Sequence, residues 1–141
     1  MMRPLARPLA IAIIRKSDRI LVFPVPDPLK NVTGYRPPGG TIEFGETGAD
    51  AVVRELQEEL GARIVAPRYV GTLENIFSWL GRPGHELVRV YETEFADRSL
   101  YERATFECTE ADGSAFTCLW KRLSDFEREP LYPNGLLDLI R

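Results

Sequence analysis

Two runs of mostly aliphatic residues open the chain. Leu9–Arg15 and Arg19–Phe23 are rich in isoleucine and flank the polar Lys16-Ser17-Asp18, a pattern that predicts a β-hairpin. Pro24, Pro26 and Pro28 follow, and they predict a loop. Tyr35–Thr41 holds Pro37-Pro38-Gly39-Gly40, which excludes regular helix there. The helical period appears next. Ala49, Val52, Val53, Leu56 and Leu60 form an apolar stripe within Thr47–Leu60. Thr47 can cap this helix, with Asp50 three residues on, and Gly61 can end it.

Beyond Arg63 the pattern returns to strands. Arg68–Trp79 and His85–Phe95 read as two long strands joined across Gly81-Arg82-Pro83-Gly84. Phe116–Leu123 reads as another. Asn134–Ile140 reads as a short terminal helix with Leu136, Leu137 and Ile140 facing inward. Strands with one central and one terminal helix predict an α+β or α/β/α layered domain.

Composition adds limits. The 141 residues fit one domain spanning 1–141, and 44% apolar with 28% charged residues is an ordinary globular balance. A net charge of −3 gives no general attraction for polyanions, so nucleic acid is not an expected partner. Arg3 and Arg7 precede an apolar run of about six residues that stops at Arg15-Lys16, short for a signal-peptide core. We expect a first strand there. No run approaches the roughly 20 apolar residues of a membrane span. Cys108 and Cys118 are too few for a disulfide framework or a structural zinc site, and we expect reduced thiols in a cytoplasmic protein, the alternative being that they face each other across a hairpin.

The chemistry concentrates between Gly40 and Ala62. Glu43, Glu46, Asp50, Glu55, Glu58 and Glu59 crowd this stretch, with Arg54 as the only base. Glu55, Glu58 and Glu59 stand at i, i+3 and i+4, so they share a helix face. Like charges at that spacing cost about 0.2–0.5 kcal/mol per pair, and the C-terminal half of a helix repels anions. A divalent cation removes that cost. Carboxylates suit Mg²⁺, which also takes waters and substrate phosphate oxygens. Such an ion would neutralise a diphosphate and help ionise an attacking water. Arg54 can pair with Glu58 and orient a neighbouring glutamate by a forked hydrogen bond. Gly39-Gly40 lets the backbone approach an ion or a phosphate, with the Gly39 carbonyl as a ligand. The bland alternative is a solvated acidic face.

This stretch resembles the Nudix box, G-x5-E-x7-R-E-U-x-E-E-x-G-U with U apolar. Gly40, Glu46, Arg54, Glu55, Leu56, Glu58, Glu59, Gly61 and Ala62 fall on its positions. The resemblance implies a Nudix-type α/β/α sandwich with a mixed β-sheet. It implies Mg²⁺-dependent hydrolysis, with Mn²⁺ able to substitute, of a phosphoanhydride bond in a nucleoside diphosphate linked to another moiety. Residue by residue, it implies Glu55, Glu58, Glu59 and the Gly39 carbonyl as metal ligands. Glu55 doubles as candidate base, Arg54 orients, and Glu46 lies near the metals. The catalytic expectation is Glu55, Arg54 and Glu58. A homodimer is common for this fold.

Two departures stand out. Pro37 occupies a position often filled by a bulky apolar residue. No glutamate sits just before Trp120 to act as a late-loop ligand or base; Glu107 and Glu110 are the nearest. Glu74-Asn75-Ile76-Phe77, Gly84-His85-Glu86 and Leu131-Tyr132-Pro133 resemble a bacterial Nudix subgroup of unassigned substrate. Arg36, Glu46 and His85 are the candidate substrate contacts, although a surface arginine and a turn histidine are the plain alternatives. Phe77 and Trp79 can stack on a base or serve the core. The main alternative function is a non-catalytic Nudix domain that senses a nucleotide; a weaker one is a protein-interaction module around Phe77 and Trp79.

Overall fold

An 8-stranded mixed sheet forms the middle layer of the computed structural model, which describes residues 3–141. In chain order its elements are β1 (Arg7–Lys16), β2 (Arg19–Asp27), β3 (Val32–Arg36), β4 (Gly39–Thr41), α1 (Gly48–Leu60), β5 (Arg68–Trp79), β6 (Arg82–Thr93), β7 (Thr105–Thr109), β8 (Ala115–Arg122) and α2 (Leu136–Ile140). The strands lie in the order β5-β6-β1-β2-β8-β7, with β3 on β2 and β4 on β1. β1 runs parallel to β6, and the remaining strand pairs are antiparallel.

β1 is central because both of its faces are apolar. Ala10, Ala12 and Ile14 pack towards α1 with Val52, Leu56 and Phe95. Leu9, Ile11 and Ile13 pack on the opposite side with Val88, Val90, Leu136 and Ile140. The two helices therefore cover opposite faces, and the layered α+β expectation holds. No helix of the described residues is long and apolar enough to cross a membrane.

The helix α1 follows its sequence signals. Thr47 Oγ1 accepts a hydrogen bond from Asp50 N at 3.1 Å, and Gly61 closes the other end at φ 66°, where a side chain is strained. Ala51, Val52 and Leu56 are its buried side chains, and Val53, expected inward, is exposed. Losing a core leucine such as Leu56 would cost about 2–5 kcal/mol.

Three boundaries depart from expectation. β2 does not stop before the prolines but runs through Pro24 and Pro26 to Asp27, paired with β3. Those two prolines share one parity. Opposite Pro24, the N–H and carbonyl of Tyr35 turn away from β2 towards Pro130 and Tyr132, so this ladder position asks for no proline N–H. β6 begins at Arg82, because the turn is the two-residue Leu80-Gly81 with φ of 53° and 75°. β7 has no counterpart among the predicted elements; it pairs with β8 and makes the hairpin across which Cys108 and Cys118 face each other.

Candidate functional site

The site begins where β1 and β2 part. They pair only at Arg15↔Ile20 and Lys16↔Arg19, and then β4 lines up on β1 while β3 lines up on β2. A cavity of about 630 Å³ fills the space between. It takes Leu9 and Ile11 from β1, Phe23 from β2, Gly39 and Gly40 from β4, and Glu55, Glu58 and Glu59 from α1. Glu110 closes it from the turn between β7 and β8.

Arg54 organises the acids. Its Nε and Nη2 donate to the two Glu46 carboxylate oxygens at 2.8 and 2.9 Å. Nη1 donates to Glu55 Oε1 at 2.9 Å and to Glu58 Oε2 at 3.2 Å, and Nη2 also reaches the Thr41 carbonyl at 3.0 Å. The Arg54 guanidinium, with the Glu43 N–H behind it, holds the Glu46 carboxyl down to about 2. Glu46 thus braces the loop and is not among the residues that line the cavity.

Glu55 and Glu59 shift the other way. Burial raises both, and Arg54 partly offsets this for Glu55. Glu59 reaches about 8, pushed first by burial and then by the charges of Glu55 and Glu110. Its Oε1 is buried with no hydrogen-bond partner. A polar atom left so normally costs about 1–3 kcal/mol. Gly40 completes the cradle: a Cβ there would strike the Glu55 carboxyl, whose oxygens lie 2.6 Å from its ideal position.

Among the described residues, no three His, Cys, Asp or Glu side chains already stand in a ligating arrangement. Arg54 stands between two of the acids instead. The donor set still fits a hard cation: oxygen ligands only, one of them buried and orphaned.

A second cavity, also about 630 Å³, opens beyond the first and shares Arg7, Phe23, Arg36, Glu86 and Glu110 with it. Phe77, Trp79 and Phe116 give it aromatic walls. Its rim is braced. Asp27, buried, accepts hydrogen bonds from the N–H groups of Leu29, Lys30 and Leu80, and Trp79 Nε1 donates to the Pro26 carbonyl at 3.0 Å.

Nearly the whole chain matches one family: the profile of the NUDIX domain aligns with residues 5–133. This chain belongs to the Nudix family. A stretch of 39 residues is 51% identical to the 8-oxo-dGTP diphosphatase of Escherichia coli (strain K12), covering 28% of each protein. Another of 70 residues is 36% identical to YtkD of Bacillus subtilis (strain 168), covering 50% of this chain and 40% of that one. The chain thus spans less than half the length of these curated relatives. The fold extends further. The MutT NUDIX hydrolase from Burkholderia pseudomallei superposes with a TM-score of 0.69 at 24% identity, covering 97% of this chain and 98% of that one. A UDP-X diphosphatase superposes at 0.65 with 13% identity, covering 99% and 63%.

Set against the sequence expectations, the Nudix chain brings Gly39, Arg54, Glu55, Glu58 and Glu59 to one cavity and adds Arg36 at its border. It does not bring His85, which is exposed on β6 and lines neither cavity. Its neighbour Glu86 lines both. Of the late acids, Glu110 faces the cluster, while Glu107 sits on the exposed side beside Thr117 at 3.3 Å. Cys108 and Cys118 are buried free thiols with Sγ atoms 3.7 Å apart.

Proposed function

We propose that this chain is a divalent-metal-dependent pyrophosphohydrolase, acting on a nucleoside diphosphate linked to a second moiety. The observation that carries the reading is the pairing of two confluent cavities, one acidic with an orphaned Glu59 oxygen and one aromatic. The first suits a cation and phosphates, and the second suits a flat base. The Escherichia coli relative named for a nucleoside triphosphate supports the same substrate class.

Glu55, Glu58 and Glu59, with the Gly39 carbonyl, would hold Mg²⁺, which would neutralise the diphosphate and make a bound water more acidic. Arg54 orients Glu55 and Glu58 through Nη1. Glu110, which lines the cavity and is not tied to Arg54 as Glu55 is, takes the base's role in place of Glu55 and accepts the proton as the water oxygen attacks phosphorus. The bridging P–O bond breaks, and its electron pair leaves on the departing phosphate. The products are a nucleoside monophosphate and a second phosphate compound.

The test is a screen of nucleoside-diphosphate derivatives with Mg²⁺ or Mn²⁺, followed by phosphate release. Glu58→Gln and Glu59→Gln should each lower kcat by about 10²-fold or more with the circular dichroism spectrum unchanged. Full turnover in both variants overturns the assignment. Tight nucleotide binding with no metal-dependent product would instead mean a sensor.

A further inference from the structure

Glu86 lies at the seam of the two cavities with 4% of its surface exposed. A carboxylate so placed is costly unless paired. Its Oε1 accepts from Arg36 Nη2 at 3.1 Å and from Asn75 Nδ2 at 3.3 Å. Asn75 is itself buried. Arg36 is thereby fixed from beneath by a rigid strand pair. Among the described residues this is the only hydrogen bond its side chain makes, so its other N–H donors remain for a ligand. Arg7 lines the same seam and reaches Thr41 Oγ1 at 2.9 Å.

The position has chemical meaning. A molecule with its base in the aromatic cavity and its reacting phosphorus among the glutamates must pass its intervening phosphate through this seam. The acids on the α1 side repel that phosphate. Arg7 and Arg36 are the cationic side chains that both cavities share. A guanidinium already held by a buried carboxylate offers a planar fork for phosphate oxygens with little left to order.

We infer that Arg36 and Arg7 seat the phosphate that stays on the nucleoside, and that Glu86 is the positioning residue that aims Arg36. This rests on the substrate class proposed above.

The test uses binding, separate from turnover. The probes are the 5′-monophosphates of adenosine, guanosine, cytidine and uridine, each against its parent nucleoside, titrated calorimetrically in Mg²⁺. The wild type should bind at least one monophosphate about tenfold or more tighter than its nucleoside. Arg36→Gln should erase that gap while nucleoside affinity stays within about twofold. Arg36→Lys should keep part of it, since a point charge replaces a fork. Glu86→Gln should raise KM about tenfold with kcat nearly unchanged, because the acid acts through Arg36 rather than on the reacting atoms. Should Glu86→Gln fail to fold, the Arg36 variants decide alone. An unchanged gap in Arg36→Gln, or a wild type that prefers no monophosphate, overturns the seat. A wild type that keeps the Arg36-dependent gap yet hydrolyses nothing sinks the hydrolase reading and leaves the seat standing.

Discussion

Arg54 grips Glu46 with two parallel prongs, Nε to Oε2 at 2.8 Å and Nη2 to Oε1 at 2.9 Å, while its third nitrogen serves Glu55 and Glu58. Lysine offers one point charge and cannot hold three carboxylates in a plane. Arg54→Lys should destabilise the metal-free protein by about 2 kcal/mol, because partly buried charged hydrogen bonds are lost. For a chain of this size that lowers Tm by roughly 4–8 °C. It should also cut kcat, since Glu55 and Glu58 lose their orientation. Thermal unfolding and initial rates check the two halves, and a Tm equal to the wild type would show that the grip is ornamental.

Glu59 makes a prediction about pH. Its folded carboxyl sits at about 8 against an ordinary value of 4.5. The native state keeps that proton where the unfolded chain has released it. The contribution of Glu59 to the stability of the metal-free protein is therefore full below about 4.5, falls as pH rises to about 8, and is level beyond. Glu55 is raised too and adds to the same slope. Glu46 is lowered and acts in the opposite sense, but below pH 4.5 and so outside this window. Mg²⁺ needs the ionised form, so its affinity should climb through the same range and the slope should vanish at saturation. Urea midpoints at about pH 5 and about pH 9, with and without Mg²⁺, test this. An equal slope in Glu59→Gln would contradict it.

Glu110 and Glu107 make a matched pair three residues apart, one on β7 and one just past its end. Only Glu110 lines the acidic cavity. Glu110→Gln should lower kcat about 10²-fold or more, as loss of a general base does, with a flattened acid limb in the pH–rate profile. Glu107→Gln should match the wild type in both. Equal losses, or none in either, would remove Glu110 from the reaction.

Much of this arrangement is legible in the amino-acid sequence. The helix α1 is, because its cap, stripe and closing glycine agree, and so is the acid face, because spacing on a helix fixes direction. The strands were harder. Pro24 and Pro26 read as breakers, and only tertiary pairing shows that their missing N–H groups lie on a side that asks for none. Thr105–Thr109 buries just Phe106 and Cys108, too short an alternation to separate from a loop. Glu86 was within reach. Val88 and Val90 share its parity on β6 and are buried, so the inward acid was Glu86 and the outward histidine was His85. Charge obscured that signal, since an acid in a strand reads as solvent-facing. The two-chamber site was not legible, because it is made by the splaying of β1 from β2.

The buried Asp27 ties the end of β2 to the tip of the β5–β6 hairpin. The width of the aromatic chamber is therefore gauged by two loops leaning on one another, far along the chain from the helix that bears the acids. Lengthening or trimming either hairpin would recut the opening for a larger or smaller guest. The bond-breaking end would be left as it was. One scaffold could in this way change its clientele by editing its loops alone.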